Sequence, residues 1–506
     1  MGIFSWFNRP GVPSDYNDAV ASPSRKPRSA ARNFSAAERD RLTSSFPTLQ
    51  VSGNAEIRQA LAPLRARSRN LANNTELGRR YIQLLKDQVI GDQGIRMIPN
   101  VRVGSEVDND ANMKLAKAWS EFIRPGRFTV DGQLSYVDVL KLFIVSLARD
   151  GELLAKHIEG RAAENRFGYA VQTLSPDHLD EQKTTRLGQS RRVIMGVEVN
   201  AFYRPTVYHL LSALPSEAFP ATARVHHVPT AAREVLHAFL HDSANQVRGV
   251  PHMHAAIRST WFLSKYQEAE LVAAIQGAAK GGMFVAPDGE PHDFSDTDED
   301  DEGEIVDYYQ DAEPGTFGIA PEGHNFVPYD PTHPNQAFGD FNKGIKRDIA
   351  AGWGVSYHTL TGDLEGVNFS SAKVGQLPER DYFRGLQGFL TEHVCQVIYE
   401  RWLVQAITRG EIDLPMRKLD QFLAPKWKAR GWPATDARSE SAANDRAIAN
   451  GTRSRTAIAA DSGEEWPEIA AELAEEQALA DELGLNLTKT EGDDDAATPS
   501  DSNQNN

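Results

Sequence analysis

Six of the chain's 14 histidines fall within 29 residues: His226, His227, His237, His241, His252 and His254. Imidazoles ligate divalent metals and exchange protons near neutral pH, so chemistry is sought here first. His237 and His241 are four apart, which on a helix puts both rings on one face, and His252-x-His254 offers a third ligand. A carboxylate at catalytic spacing is missing, because H-E-x-x-H does not occur. The segment LHAFLHD reads equally well as an amphipathic helix with half-buried histidines. No metal is assigned. A His-based metallohydrolase stands as the alternative function, one that stoichiometric zinc would favour.

Other signatures of turnover fail on spacing. A calcium loop opened at Asp298 places Asp300, Glu302 and Gly303 well, but puts Tyr309 where a bidentate Glu is needed. No G-x-x-x-x-G-K-[ST] exists, and the run from Gly277 to Gly282 lacks both the length and the Ser or Thr. Neither G-x-S-x-G nor G-x-G-x-x-G follows a strand. Cys395 is the only cysteine, so no intrachain disulfide or thiolate cluster forms, and assembly in a reducing interior is expected. The opening MGIFSWFNRPGVPSDY is too short and polar for a secretory leader, and Trp6 breaks the myristoylation pattern. No stretch approaches the roughly 18 apolar residues of a membrane span. The expectation is a protein that is no enzyme, holds no cofactor and spans no membrane.

The acids of that failed calcium loop have another use. Asp296, Asp298, Glu299, Asp300, Asp301 and Glu302 belong to a block, 283–335, with fifteen Asp and Glu and not one Lys or Arg. The formal net charge is −16; this block contributes −15 and residues 461–506 contribute −13, leaving +12 on the other 407 residues. The average therefore conceals a basic body with two acidic segments, and the first eighty residues hold thirteen Arg and Lys against six acids. Aromatic and β-branched residues such as Phe284, Phe294, Ile305, Tyr308 and Phe317 give the block material for a fold of its own, and seven prolines exclude a continuous helix.

The elements that flank it are helical. Residues 253–280 are rich in Ala, Leu, Gln and Glu without proline, and Phe338, Phe341, Ile345 and Ile349 give 335–351 an apolar face. Two helices carrying an acidic module at their far end make a stalk. Upstream, 56–89 reads as two consecutive helices, and 111–122 and 136–149 as two more. Between 151 and 211 the period changes, and LLAKHIE, YAVQTL, RVIMGVEVNAF and PTVYHLL read as strands, so the fold class is α+β. Gly352 to Ser370 reads as a glycine-rich loop, 371–408 as a long helix kinked at Pro378, and 437–483 as helical.

Several of these segments, in this order, resemble lambda-type bacteriophage portal proteins. Asp150-Gly151-Glu152 precedes the strands. GVEVNAFYRPTVYHL (196–210) is similar to a family hairpin, with Tyr203 where Gly is expected before Arg204-Pro205. EVLHAFLH, then Gln246-Val-Arg248-Gly249-Val-Pro251, leads into the helix with YQEAELVAA. DIAAGWGVSYHTLTGDLEGVNFSSAK (348–373) matches a family segment, with Ser356 for the usual Pro and Phe369 for Tyr. The terminal pattern reappears at 443–485, so the resemblance spans roughly 50–485.

The resemblance implies a portal fold and a function. Its parts would be an arm (1–45), a wing (46–252), a first stem helix (253–282), a clip (283–335) and a second stem helix (336–352). A tunnel loop (353–370), a long kinked helix returning to the wing (371–436), a crown (437–485) and an acidic tail (486–506) would follow. Family members form a dodecameric ring at the unique capsid vertex of the virion, beside the major capsid protein, after assembly in the host cytoplasm. Double-stranded DNA enters and leaves through the ring, which docks terminase and then head-tail connector proteins. Lys343, Lys346, His358, Asn368 and Lys373 are then the expected channel residues. Asp296, Asp298, Glu299, Asp300, Asp301 and Glu302 are the expected docking residues.

Overall fold

Apolar residues at helical spacing build the first layer. α1 (Gly53–Asn74) buries Ile57, Leu61 and Leu71, and α2 (Glu76–Leu85) buries Tyr81, Leu84 and Leu85. Thr75 divides them: its hydroxyl accepts from the Gly78 N–H at 3.2 Å and donates to the Leu71 carbonyl at 2.8 Å, ending one helix and capping the next. Short strands β1 (Arg96–Ile98), β2 (Arg102–Val103) and β3 (Glu106–Val107) lead to α3 (Asn109–Phe122) and α4 (Tyr136–Asp150). α4 opens with a capping box between Ser135 and Asp138 and stops at Gly151, whose φ of 88° suits a residue without Cβ.

These elements are seen in a computed structural model. It describes residues 50–104, 106–188, 190–214, 216–217, 225–279, 282–285, 325–328, 338–365, 369–432, 437–462 and 466–485, with a few between 41 and 48. The chain divides into two units, 1–51 and 52–506. In the first, the Ser44 hydroxyl donates to the Arg41 carbonyl at 3.1 Å. All that follows concerns the second.

The change of period at Gly151 marks the change to strands. β4 (Glu152–Glu159) and β5 (Tyr169–Leu174) pair antiparallel. A second antiparallel sheet holds β6 (Thr185–Arg186), β7 (Arg192–Ile194), β8 (Val197–Val199), β9 (Pro205–Leu211) and β10 (His227–Ala231), in the order β10-β9-β8-β7-β6. The segment expected to be an amphipathic helix, LHAFLHD, is instead strand β11 (Val235–Phe239), paired antiparallel with β4. Val235, Leu236, Ala238 and Phe239 are buried on both faces of that strand, so no alternation betrayed it.

The later chain returns to this body. His252–Ala256 is a 3-10 turn, and α5 (Ile257–Ala279) begins only at Ile257. The acidic block departs and returns through β12 (Gly282–Val285) and β13 (Asn325–Pro328), which pair antiparallel. α6 (Phe338–Gly352) packs on α5 through Tyr266, whose ring lies 5.6 Å from Phe338 and 5.5 Å from Phe341. A short helix, α7 (Tyr357–Thr361), precedes α8 (Phe369–Leu390). α8 stays helical through Pro378; the irregularity is a π-turn at Thr391–Cys395 before α9 (Gln396–Thr408). After α10 (Leu419–Phe422), β14 (Lys426–Lys428) pairs with β1, tying residues more than 300 apart. Helices α11 (Ala437–Ala449), α12 (Arg455–Ser462) and α13 (Trp466–Leu483) follow.

The largest core lies where α3, α4, β5 and α9 meet. Trp402 is fully buried, with Trp119 edge-on at 5.0 Å and Phe122 stacked at 5.5 Å. Such pairs add roughly 0.5–1.5 kcal/mol beyond burial of their area. Cys395 is buried here beside Tyr136, and burial pushes its thiol up to about 12, so it stays protonated and unreactive.

Candidate functional site

The segment expected to be an open loop is half folded. Trp353 turns back from α6 into the core, stacks on Tyr81 at 5.0 Å and donates its indole N–H to the Met253 carbonyl at 3.2 Å. Gly354 follows with φ 72°, a left-handed turn that a side chain would strain. Ser356, where the resemblance leads to an expectation of Pro, caps α7: its hydroxyl accepts from the Thr359 N–H at 3.2 Å. Its own N–H, which Pro would lack, donates to Glu379 Oε1 at 3.2 Å, while the Thr359 hydroxyl donates to Oε2 at 2.9 Å. Leu360 is buried, and Gly362 ends α7 at φ 73°.

Beyond Gly362 the chain is tied to α6 by charge. The Tyr357 hydroxyl donates to Asp363 Oδ2 at 2.7 Å, and the Glu365 N–H donates to Oδ1 at 2.9 Å. Those two bonds, the backbone one first, hold the Asp363 carboxyl below its ordinary range. Lys343 on α6 ion-pairs with Glu365, which raises the Lys343 ammonium. One turn further along α6, the Arg347 guanidinium lies 5.5 Å from the centre of the Tyr357 ring. Leu364, between the two acids, is 72 % exposed at the tip. Burial pushes the Glu379 carboxyl up, against the hydrogen bonds from Thr359 and Ser356 and the charge of Arg380.

The expected channel residues are thus placed as follows. Lys343 is bound to Glu365, and Lys346 is half-buried on α6. His358 sits on α7 with Nδ1 donating to the Asp363 carbonyl at 2.8 Å. Lys373 belongs to α8. Asn368 and the acids Asp296, Asp298, Glu299, Asp300, Asp301 and Glu302 lie outside the described residues. Sequence reasoning missed Trp353, Tyr357, Asp363 and Glu379, although a Ser cap and a closing Gly with five residues between them mark α7.

The histidine cluster resolves differently. With 235–239 a strand, His237 and His241 do not share a helical face. The His237 Nε2–H donates to Glu152 Oε2 at 3.0 Å, and His241 stacks on Phe239 at 4.4 Å. Glu152 is fully buried, bound by Arg248 Nη2 and Arg65 Nη2, each at 2.6 Å, and by the Gly249 N–H at 2.9 Å. Burial alone would raise this carboxyl, but the two guanidiniums and His237 hold it well below the carboxylate range. Arg248 also donates to the carbonyls of Leu179, Met195 and Pro176, so its charge is fully paired. The motifs D-G-E and R-G-V thereby meet. A Cβ on Gly249 would lie 2.0 Å from the Gly151 carbonyl oxygen, so only glycines allow the approach. Among the described residues no group of three or more His, Cys, Asp or Glu is placed to hold a metal ion. This is a structural knot that joins α1, α4, β4, β11 and the lead into α5.

Comparison with known proteins gives a consistent picture. Residues 39–387 match the family model of phage portal proteins of the lambda family. The chain is 31 % identical over 471 residues to the probable portal protein of Halomonas phage phiHAP-1, covering 92 % of this chain and 90 % of that one. It is 23 % identical to portal protein B of Escherichia phage lambda, over 71 % of each chain. It is 22 % identical to the portal protein of Escherichia phage N15, over 83 % of this chain and 85 % of that one. Among solved structures, a chain in the neck of a native GTA particle computed with C12 symmetry aligns over 79 % of this chain and 91 % of its own. The TM-score there is 0.41 and the identity 13 %.

Proposed function

The chain belongs to the lambda family of phage portal proteins, and from that premise we propose how its parts serve a portal at the capsid vertex. Copies of the chain assemble as a ring, twelve in number on the family resemblance, with duplex DNA passing through its centre. The observation that carries this reading is the outer surface of α5. It spans 23 residues, about 35 Å at the helical rise. Trp261, Phe262, Leu271, Val272 and Ile275 are between 47 % and 63 % exposed on it. So much apolar area along one helix calls for a partner, and a ring supplies one from the neighbouring copy. No helix among the described residues is long and apolar enough to cross a membrane. Replacing Leu271 and Ile275 with Glu is expected to leave a folded chain of single-copy mass. Retention of the wild-type assembly would contradict the reading.

Within the ring, α5 and α6 form the stem, and the strand pair β12–β13 leads the acidic block 286–324 out to its partners. That block docks the basic surface of the packaging motor and later of the connector proteins, complementary charge mainly speeding the encounter. Replacing Asp298, Asp300 and Asp301 with Asn is expected to slow motor docking and flatten its salt dependence. Docking kinetics unchanged across a salt series would remove the block from this role. The segment from Gly362 to Asn368, tied to α6 through Lys343, is the part that meets DNA in the channel. The paired Lys343 fits a passage that centres a duplex without gripping it, since free cations along the phosphates would bind too tightly to let it slide. None of these steps asks the chain to turn over a substrate.

A further inference from the structure

The hairpin β6–β7 lies at one edge of the five-stranded sheet, and residues 183–192 read KTTRLGQSRR, four cations without an acid. Arg186 and Arg192 are direct cross-strand partners. Their Cβ atoms are then about 5 Å apart on one face, and like charges so placed destabilise a sheet. Neither forms an ion pair among the described residues. Arg186 uses its Nε on the Gly188 carbonyl at 3.2 Å, which leaves its terminal nitrogens for another acceptor. The Arg192 guanidinium is stacked 4.2 Å from the centre of the Tyr203 ring, which fixes its plane. Arg191 is held by Glu198 at 3.2 Å. Together with Thr184, Thr185 and Ser190, these three arginines line a groove of about 610 Å³, and no carboxylate is among its lining residues.

Tyr203 adds a second observation. It holds φ 60° where the family resemblance expects Gly, a left-handed conformation that strains a non-glycine residue. The turn that holds it is built by Asn200, whose Oδ1 accepts from the N–H groups of Phe202 and Arg204 at 2.9 and 3.0 Å. The strain places an aromatic ring under Arg192.

A like-charge pair, Arg186 and Arg192, with one plane fixed, hydroxyls beside it and no acid among the lining residues is a receptor for tetrahedral oxyanions. We propose that this groove binds the phosphodiester backbone of nucleic acid, a contact on the sheet edge separate from the passage through the ring. The groove, at about 610 Å³, is larger than one phosphate needs, which suits a continuous strand rather than a free ion. The inference takes its source of DNA from the portal reading, but the contact itself does not depend on ring formation.

The test compares full-length wild type, R186A/R192A and R186K/R192K for binding to a short labelled duplex across a salt series. Loss of two phosphate contacts is expected to weaken binding about tenfold or more, and to make the slope of log K against log salt shallower by about 2. The lysine variant should keep the slope, since it keeps both charges. Removing the repelling pair should leave the thermal midpoint unchanged or higher, and the assembly mass as in wild type, which separates this contact from the portal reading. Equal affinity and slope in R186A/R192A would overturn the proposal. So would displacement of the duplex by polyglutamate as readily as by unlabelled DNA, which would make an acidic protein the partner. Stabilisation by inorganic phosphate alone, with duplex binding unaffected by the substitutions, would also overturn it, because the groove would then take the free ion.

Discussion

Glu152 shows what single residues contribute. Among the described residues its carboxylate is the one acid bound by Arg65, Arg248 and His237 together, so E152A leaves the buried Arg248 without a counter-charge and Arg65 with only Asp177 at 3.6 Å. Removing one partner of such a buried group costs about 3–5 kcal/mol, and urea unfolding should show a loss of that size. Because the folded carboxyl is held below its unfolded value, this stability is present above the ordinary carboxylate range. It fades as pH falls below the unfolded carboxylate value and is gone once pH passes the depressed folded value, so the gap between wild type and E152Q should narrow gradually across the acid range and close only at unusually acid pH. G249A should fail to fold, since its Cβ has no room beside Gly151. The motifs holding these residues were legible in the sequence. Their burial was not, because Glu152 meets partners 87 and 96 positions away. His237 and His241 misled for a local reason: a spacing of four fits a helix, and a strand buried on both faces has no alternation to argue against it.

At the scale of elements, α7 and the residues after it carry the argument. Most helices were readable from periodicity, and the hairpin strands from alternation between turns. The stretch 352–361 was not, because its glycines suggest a loop while Trp353 and Leu360 take it into the core. Glu379 holds α7 against α8 with its carboxyl raised by burial. The sign is therefore opposite to that of Glu152: its contribution is full below the unfolded carboxylate value and is lost as pH rises through the folded one. E379Q keeps a carbonyl acceptor for the Ser356 N–H and offers its NH2 to the Thr359 hydroxyl, which can accept, without the charge. Across that window it should become as stable as wild type or more so, as thermal melts at a series of pH values would show. Shortening 363–368 while leaving 353–362 intact should preserve assembly and reduce retention of packaged DNA. Particles that retain full-length genomes would show that this segment is filler.

At the scale of the whole molecule, the ordered succession of motifs made the family readable before any single element was secure. The same succession says nothing of which faces meet between copies. That information lies in side chains such as Leu271 and Ile275, which satisfy helical periodicity yet remain exposed in one chain. On the proposed ring, the acidic block and the basic remainder would likewise act together across the copies. The most direct test images the purified full-length chain by negative-stain electron microscopy, with its mass measured in solution. The account predicts closed rings with a central opening that admits a B-form duplex, at a mass close to twelve chains. A monodisperse single-copy species without rings, at concentrations where the chain is folded, would contradict it.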